Sequence, residues 1–265
     1  GYALNHQVVL YCWRGGMRSG ALSAVADLMR IPVYRLSHGY KGYRSYVNDY
    51  MQQMPAFSVY VLCGNTGVGK TEVLQELAAQ GVQTLDLEGL ANHRGSAFGS
   101  VGLGAQGSQK AFESGLWQKI SQFDVTKPVV LECESRRIGR LLLPEHLHQL
   151  VRQATPILLY DNVPNRVARI LADYQPAQEP AEVARALACI RPKLGKEKYD
   201  LLAAALEQQA YPLVIETLLS GYYDLLYQYP NGADARYPLA VDVAAGHGAA
   251  ARHGAQRVCR SMGAG

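Results

Sequence analysis

No apolar run in this 265-residue chain is long enough to cross a bilayer, and its opening residues do not read as a signal peptide. A helical membrane protein and a secreted protein are both disfavoured. The five cysteines, Cys12, Cys63, Cys133, Cys189 and Cys259, are odd in number, scattered and never spaced C-x-x-C. That argues against a disulfide framework or a thiolate zinc site, and for a reduced cytosol. Charged residues are sparse, 18% against 48% apolar, so a packed core is expected. The chain opens on Gly1 rather than Met, just ahead of a strand pattern that needs parallel neighbours on both sides. The expectation is a fragment whose preceding N-terminal sequence is missing.

Two anion cradles stand out. Gly64-Asn65-Thr66-Gly67-Val68-Gly69-Lys70-Thr71 is an unbroken G-x-x-x-x-G-K-[ST] loop between a buried-strand pattern at 57–63 and a helical pattern at 70–80. Glycines let backbone N–H groups turn toward one anion, and the helix N-terminus adds positive potential. Lys70 reaches the outer phosphates, and Thr71 holds magnesium through the phosphate.

The second cradle follows a short strand at 8–11. Cys12-Trp13-Arg14-Gly15-Gly16-Met17-Arg18-Ser19 runs into a helical pattern at 19–29, the C-x5-R layout. The loop's N–H groups converge on whatever the sulfur carries. Helix dipole and the Arg18 guanidinium are expected to lower the Cys12 pKa, and Arg18 can grip an oxyanion with its fork. Two chemistries use this layout: sulfur or selenium transfer through a rhodanese-type persulfide, and phosphoryl transfer of the tyrosine-phosphatase type.

Periodicity divides the chain into four parts. Residues 1–55 read as the C-terminal part of a small α/β domain, with strands 8–11 and 33–36 and helices 19–29 and 40–53. Residues 56–160 alternate strands 57–63, 82–88, 128–133 and 155–160 with helices 70–80, 108–123 and 144–153, the pattern of a doubly wound parallel sheet. A long Gly-rich loop spans 89–107. Residues 161–229 read as a helical extension with helices 163–174, 179–190, 195–209 and 212–227. From 230 to 265 the composition collapses into Ala, Gly, Arg and His without periodicity, and disorder is expected.

Acidic and basic residues cluster where ligands would sit. Val129-Val130-Leu131-Glu132 is an apolar strand ending in an acid, the layout that sets a carboxylate beside P-loop magnesium. Glu134 lies two residues on, and Asp86 and Glu88 close the predicted strand 82–88, whose end faces the ligand crevice. Arg94, Arg136 and Arg137 join them as second-domain candidates; with Arg140, Arg166 and Arg169, any single arginine is either a phosphate clamp or a solvated charge. His93 reads as a loop surface residue. Residues 1–55 carry six Lys or Arg against two Asp, and Arg30, Arg35, Lys41 and Arg44 interleave with Tyr34, Tyr40, Tyr43 and Tyr46. Cations among aromatics suit a phosphodiester strand with stacked bases, so Arg30, Lys41 and Arg44 are RNA-binding candidates.

These residues together resemble the tRNA 2-selenouridine synthases, which fuse a rhodanese domain to a P-loop domain. The resemblance rests on Tyr11–Ser19, Gly39–Arg44, Gly64–Thr71, Asp86–Gly99, Gln109–Glu113, Glu132–Gly139 and Tyr222–Asp224. It implies a cytoplasmic selenotransferase acting on wobble 2-thiouridine in a tRNA anticodon loop. Selenophosphate would be the donor, a geranylated species the intermediate, and Cys12 the selenium carrier. The P-loop would take geranyl diphosphate or a nucleotide, with magnesium at Thr71 and Glu132. A selenophosphate-producing enzyme is an expected partner, and a membrane is not. The chain departs from the family at its start and after Tyr229. Two other readings stay open: a phosphatase or sulfurtransferase-type enzyme fused to a nucleotide-binding domain, and a non-catalytic nucleotide-dependent RNA-binding module.

Overall fold

The structure is a computed structural model and describes residues 8–244 and 249–262. The chain divides into two compact units, Gly1–Met54 and Pro55–Gly265.

In the first unit, β1 (Val8–Leu10) and β2 (Val33–Arg35) pair in parallel, with Val9 opposite Tyr34. The crossover is α1 (Met17–Leu28), and α2 (Gly39–Gln52) follows. Along α2, Arg44, Val47 and Met51 are buried. Spacings of three and four place them on one face of the helix.

The second unit is built on β3 (Val59–Cys63), α3 (Lys70–Ala79), β4 (Gln83–Leu85), α4 (Leu87–Ala91), α5 (Gln109–Ile120), β5 (Val129–Glu132), the hairpin β6 (Arg137–Ile138) and β7 (Leu141–Leu142), α6 (Glu145–Gln153) and β8 (Thr155–Tyr160). Then come α7 (Val163–Tyr174), α8 (Pro180–Leu194), α9 (Lys196–Glu207), α10 (Tyr211–Leu218), a π turn over Leu219–Tyr223, α11 (Asp224–Tyr227), β9 (Leu239–Asp242) and α12 (Ala249–Met262). The sheet order is β4-β5-β3-β8-β9, every pair parallel. The phosphate loop therefore leaves the central strand. Val61, Leu62 and Cys63 are buried in succession because helices cover both faces of the sheet.

Three expectations need correction. The strand predicted over 82–88 ends at Leu85, because Asp86 caps α4 by accepting from Gly89 N at 2.6 Å. The helix predicted over 212–227 is interrupted by the π turn containing Gly221. The tail expected to be disordered supplies a strand and a helix, although 245–248 and 263–265 lie outside the described residues. Val241 of β9 and Val243 just beyond it alternate into the core, and Ala251, Ala255 and Val258 pack there from one stripe of α12. They join Leu62, Val73, Leu77 and Leu159 in a single cluster. The apolar side chains of this tail are small, so its periodicity hides in a composition that reads as polar.

Among the described residues, no helix is long and apolar enough to cross a membrane.

Candidate functional site

β3 delivers the chain into the phosphate loop, and α3 begins at Lys70. Gly67 holds φ +77°, and a Cβ there would sit 2.7 Å from Ile170 Cδ1. Only glycine lets the loop lie this close to α7. Lys70 Nζ donates to Gly64 O at 3.1 Å, holding the ammonium over the loop. Asn65 is buried and donates to Tyr229 O at 3.0 Å and to Asn231 Oδ1 at 2.9 Å. The loop borders a cavity of about 610 Å³, whose walls include Gly64, Thr66, Gly67, Val68, Gly69, Lys70 and Thr71.

Four acids surround this cradle. Thr71 Oγ1 donates to Glu132 Oε1 at 3.0 Å, and Glu88 N reaches Glu132 Oε2 at 3.5 Å. Glu132 is fully buried; burial first, then Glu88 and Asp86, pushes its pKa up to about 8. Burial and the neighbouring Glu134 carry Glu88 to about 8, and burial, opposed by Lys70, carries Glu134 to about 7. Asp86, Glu88 and Glu134 line the cavity. The sequence pointed to these residues from strand ends. The structure brings Glu88 in from the first turn of α4, and Glu134 from just beyond β5.

The two arginines of α7 behave otherwise than either sequence reading, whereas Arg136, Arg137 and Arg140 are exposed, as the solvated-charge reading expected. Arg166 and Arg169 are buried rather than solvated, and both hold the loop's carbonyls; Arg169 also lines the cavity. Arg166 Nε donates to Thr66 O at 2.8 Å, while its two terminal nitrogens hold Asp224 at 2.9 and 2.6 Å. Arg169 donates to Gly67 O at 2.6 Å and to Asp161 at 3.2 Å, with Glu72 also 3.2 Å from its Nε. Their spacing on α7, Arg166 and Arg169 one turn apart, was the visible signal of a shared target. Arg94 lines the cavity, but its guanidinium donates to Val101 O and Asp173 O and stacks 4.5 Å from the Tyr174 ring. Arg136 pairs with Glu145 at 3.0 Å, and Arg137 donates to Gly139 O. Arg140 holds the Gln106 and Gly107 carbonyls. His93 is buried and lines the cavity, not a surface residue; burial and Arg94 hold its pKa down.

Beside the cavity lies an apolar slot lined by Phe98, Val183, Leu206, Val214, Ile215 and Leu218. Thr66, Ser96, Ile170 and Tyr174 border both spaces. The sequence reading missed this slot, because its walls come from four helices and a loop remote in sequence.

In the first unit, Cys12 lies two residues beyond the end of β1. Its Sγ lies 3.3 Å from Ser19 Oγ, which also bonds Gly16 O at 3.2 Å. The loop is anchored from α2: Tyr40 N donates to Cys12 O and Lys41 N to Trp13 O, both at 2.9 Å. Gly39, at φ +58°, packs against the Cys12 carbonyl so closely that no side chain fits there. The Ser19 hydroxyl, followed by the backbone N–H groups of Ser19, Arg14 and Gly16, draws the Cys12 pKa down to about 6. The depression was expected, but from the guanidinium; Arg18 lines the pocket without being among its causes. That pocket, about 420 Å³, also takes in Trp13 and Tyr40, whose rings lie 5.6 Å apart. Met17 opens α1 fully exposed. Of the RNA-binding candidates, Arg30 and Lys41 are exposed, but Arg44 is buried and donates to Asn48 Oδ1 at 3.0 Å. Arg44 belongs to the buried face of α2 and is not presented to a ligand.

Comparison with known proteins bears on both units. A family model described as the tRNA 2-selenouridine synthase AAA domain matches residues 57–245. The tRNA 2-selenouridine synthase of Pseudomonas putida (strain GB-1) is 37% identical over 267 residues, 87% of this chain and 70% of that protein. Those of Azotobacter vinelandii and Marinobacter nauticus are 37% and 34% identical, covering 85% and 83% of this chain and 68% and 67% of their own. A solved structure, TT1252 from Thermus thermophilus, covers 77% of this chain and 97% of its own at 14% identity and a TM-score of 0.36, too low to bear on the fold.

Proposed function

This chain belongs to the tRNA 2-selenouridine synthase family, and we propose that it converts 2-thiouridine at the tRNA wobble position into 2-selenouridine in the cytoplasm. The P-loop binds the diphosphate of a geranyl donor. The thiocarbonyl sulfur of the base attacks the donor's first carbon and diphosphate departs, leaving an S-geranyl group. Selenium then displaces that group as a thiolate, a far better leaving group than sulfide. Selenophosphate supplies the selenium: its selenium attacks C2 of the base as the geranyl thiolate departs, and water then cleaves the Se–P bond and releases phosphate. Cys12 and Arg18, in the rhodanese-like unit, hold the selenophosphate oxyanion for that attack.

The observation that carries this reading is the junction of the phosphate cradle with the apolar slot at Thr66 and Ile170. A diphosphate bearing a hydrocarbon chain needs both; the slot, about 60 Å³ here and edged by Thr66, Ser96, Tyr174, Tyr211 and Tyr223, would widen to admit the chain. Magnesium fits as a companion of the diphosphate. Thr71 and Glu132 offer two oxygen donors 3.0 Å apart, and phosphate oxygens and water would complete the shell. The ion would neutralise charge developing on the departing diphosphate. Trp13 and Tyr40, their rings 5.6 Å apart and tilted by 37°, lie beside Cys12 and supply aromatic faces for an unstacked base.

Calorimetric titration tests the donor. Geranyl diphosphate should bind at least tenfold more tightly than inorganic pyrophosphate, ATP or GTP, about 1.4 kcal/mol. Ile215→Trp, which fills the slot, should remove that advantage and leave pyrophosphate binding unchanged. Tighter binding of ATP or GTP would overturn the prenyl reading. For the transfer step, mass spectrometry of tRNA nucleosides should detect no 2-selenouridine with Cys12→Ser.

A further inference from the structure

Cys63 and Cys133 have no part in that reaction, yet they meet at the root of the phosphate loop. Cys63 ends β3 and directly precedes Gly64; Cys133 follows the last residue of β5. The two strands are parallel neighbours, with Val61 opposite Leu131 and Leu62 opposite Glu132. Cys133 N donates to Leu62 O at 2.9 Å, so the register runs on to the next position, Cys63 opposite Cys133. Alternation puts both side chains on the face of Val61 and Leu131. The thiols are within hydrogen-bonding reach of each other. Cys133 opens onto the cavity, whereas Cys63 is only 4% exposed. Tyr229 donates its hydroxyl to Cys133 Sγ at 3.2 Å, and its carbonyl holds Asn65 of the loop.

We propose that Cys63 and Cys133 are a thiol modification site: a dithiol that a small-molecule disulfide such as oxidised glutathione closes into an intramolecular disulfide, disabling the phosphate loop. The cavity-facing Cys133 attacks one glutathione sulfur as the thiolate and releases one glutathione thiolate, forming a mixed disulfide. Cys63 then gives up its proton and attacks Cys133 Sγ, and the second glutathione leaves and takes up a proton. Two protein thiols are oxidised, one glutathione disulfide is reduced to two thiols, and no other oxidant is needed. The geometry allows the bond, because adjacent strands run about 4.8 Å apart and disulfides span Cα separations of about 4.4–6.8 Å.

Closure would act on the loop through two routes. Drawing the sulfurs to about 2.05 Å moves the peptide that leads into Gly64, whose carbonyl holds Lys70. It also takes from Tyr229 its thiol partner, and with it the positioning of Asn65. The effect on binding rests on reading the cavity as a diphosphate site; the disulfide itself does not.

The test treats the full chain with oxidised glutathione, maps disulfides by peptide mass spectrometry and titrates magnesium pyrophosphate before and after. The expected result is a Cys63–Cys133 cross-link, at least tenfold weaker pyrophosphate binding, and full recovery with dithiothreitol. Cys63→Ser and Cys63→Ala should each stop at a glutathione adduct on Cys133. A wild-type protein in which Cys133 stays reduced or stops at the mixed disulfide overturns the proposal, as does a cross-link that leaves pyrophosphate affinity unchanged. If reduced protein binds no diphosphate at all, the proposed function fails instead, and the disulfide map still decides whether the dithiol closes.

Discussion

Arg166→Met probes how the phosphate loop is held. Arg166 is fully buried and makes three hydrogen bonds, two to Asp224 and one to Thr66 O. Removing the guanidinium strands the Asp224 carboxylate, whose side chain is 17% exposed, and orphans the Thr66 carbonyl. Breaking a buried pair from one side costs about 3–5 kcal/mol. Water reaching Asp224 puts this case near the lower end, so urea unfolding should register a loss of about 3 kcal/mol. The double substitution Arg166→Met with Asp224→Leu removes the stranded charge as well. It should regain the part due to the stranded charge and leave the cost of the unsatisfied carbonyl, about 1 kcal/mol. The double variant isolates the second effect: Thr66 loses its anchor, and pyrophosphate affinity should fall several-fold. A loss below about 1 kcal/mol for the single variant is the value for an exposed pair and would refute the reasoning. A double variant no more stable than the single one would refute it equally.

Three further outcomes follow from the geometry. Ser19→Ala should move the midpoint of Cys12 alkylation by iodoacetamide from about 6 toward the ordinary thiol value of 9.0, since the hydroxyl is the largest cause of the depression; an unmoved midpoint would transfer that role to the backbone N–H groups. Glu88, Glu132 and Glu134 have folded pKa values raised to about 8, 8 and 7 from 4.5, so the folded state holds protons that the unfolded state has released. Their contribution is complete below pH 4.5 and is lost as pH rises through 7 to 8, and urea unfolding should find the ligand-free protein a few kcal/mol less stable at pH 8 than at pH 5. Stability that is flat or rising over that range would mean the carboxylates ionise without cost. Ala255→Asp should destabilise by about 3 kcal/mol or more, by burying a charge, while exposed Gln256→Glu stays within about 0.5 kcal/mol; equal effects would mean that α12 does not pack.

Both cradles were legible because their chemistry is local. A phosphate loop needs glycines, a lysine and a hydroxyl at fixed spacing between a strand and a helix, and Gly64–Thr71 carries all of it within eight residues. The C-x5-R loop is equally compact. Its pKa, however, depends on which donor reaches the sulfur, and spacing does not decide between Ser19 and Arg18. The arginines of α7 failed for a related reason. A guanidinium that accompanies a phosphate site either faces the ligand or braces the loop from behind. For Arg166 that choice is set by Asp224, fifty-eight positions away, and for Arg169 by Asp161 and Glu72. The Tyr222-Tyr223-Asp224 motif marked the partner without naming its use.

The tail is the largest miss, and its cause is physical. Amphipathic signals are read from large side chains, yet the residues that β9, α12 and Val243 bury in the core are valines and alanines, with Leu239, Cys259 and Met262 only partly buried against it. Alanine gains little from burial, so each position carries a weak signal; a helix that packs closely against α3 nevertheless needs small residues at the contact. Gly254 makes the point: a Cβ there would lie 3.3 Å from Val73 Cγ2 of α3 and 3.4 Å from Val243 Cγ1. The approach is tight enough that the low hydrophobicity of α12 is the condition of its packing. Composition alone reads such a segment as unstructured, because the mean over residues discards which of them share a face. The alternation of Leu239, Val241 and Val243 and the stripe of Ala251, Ala255 and Val258 were present in the sequence throughout.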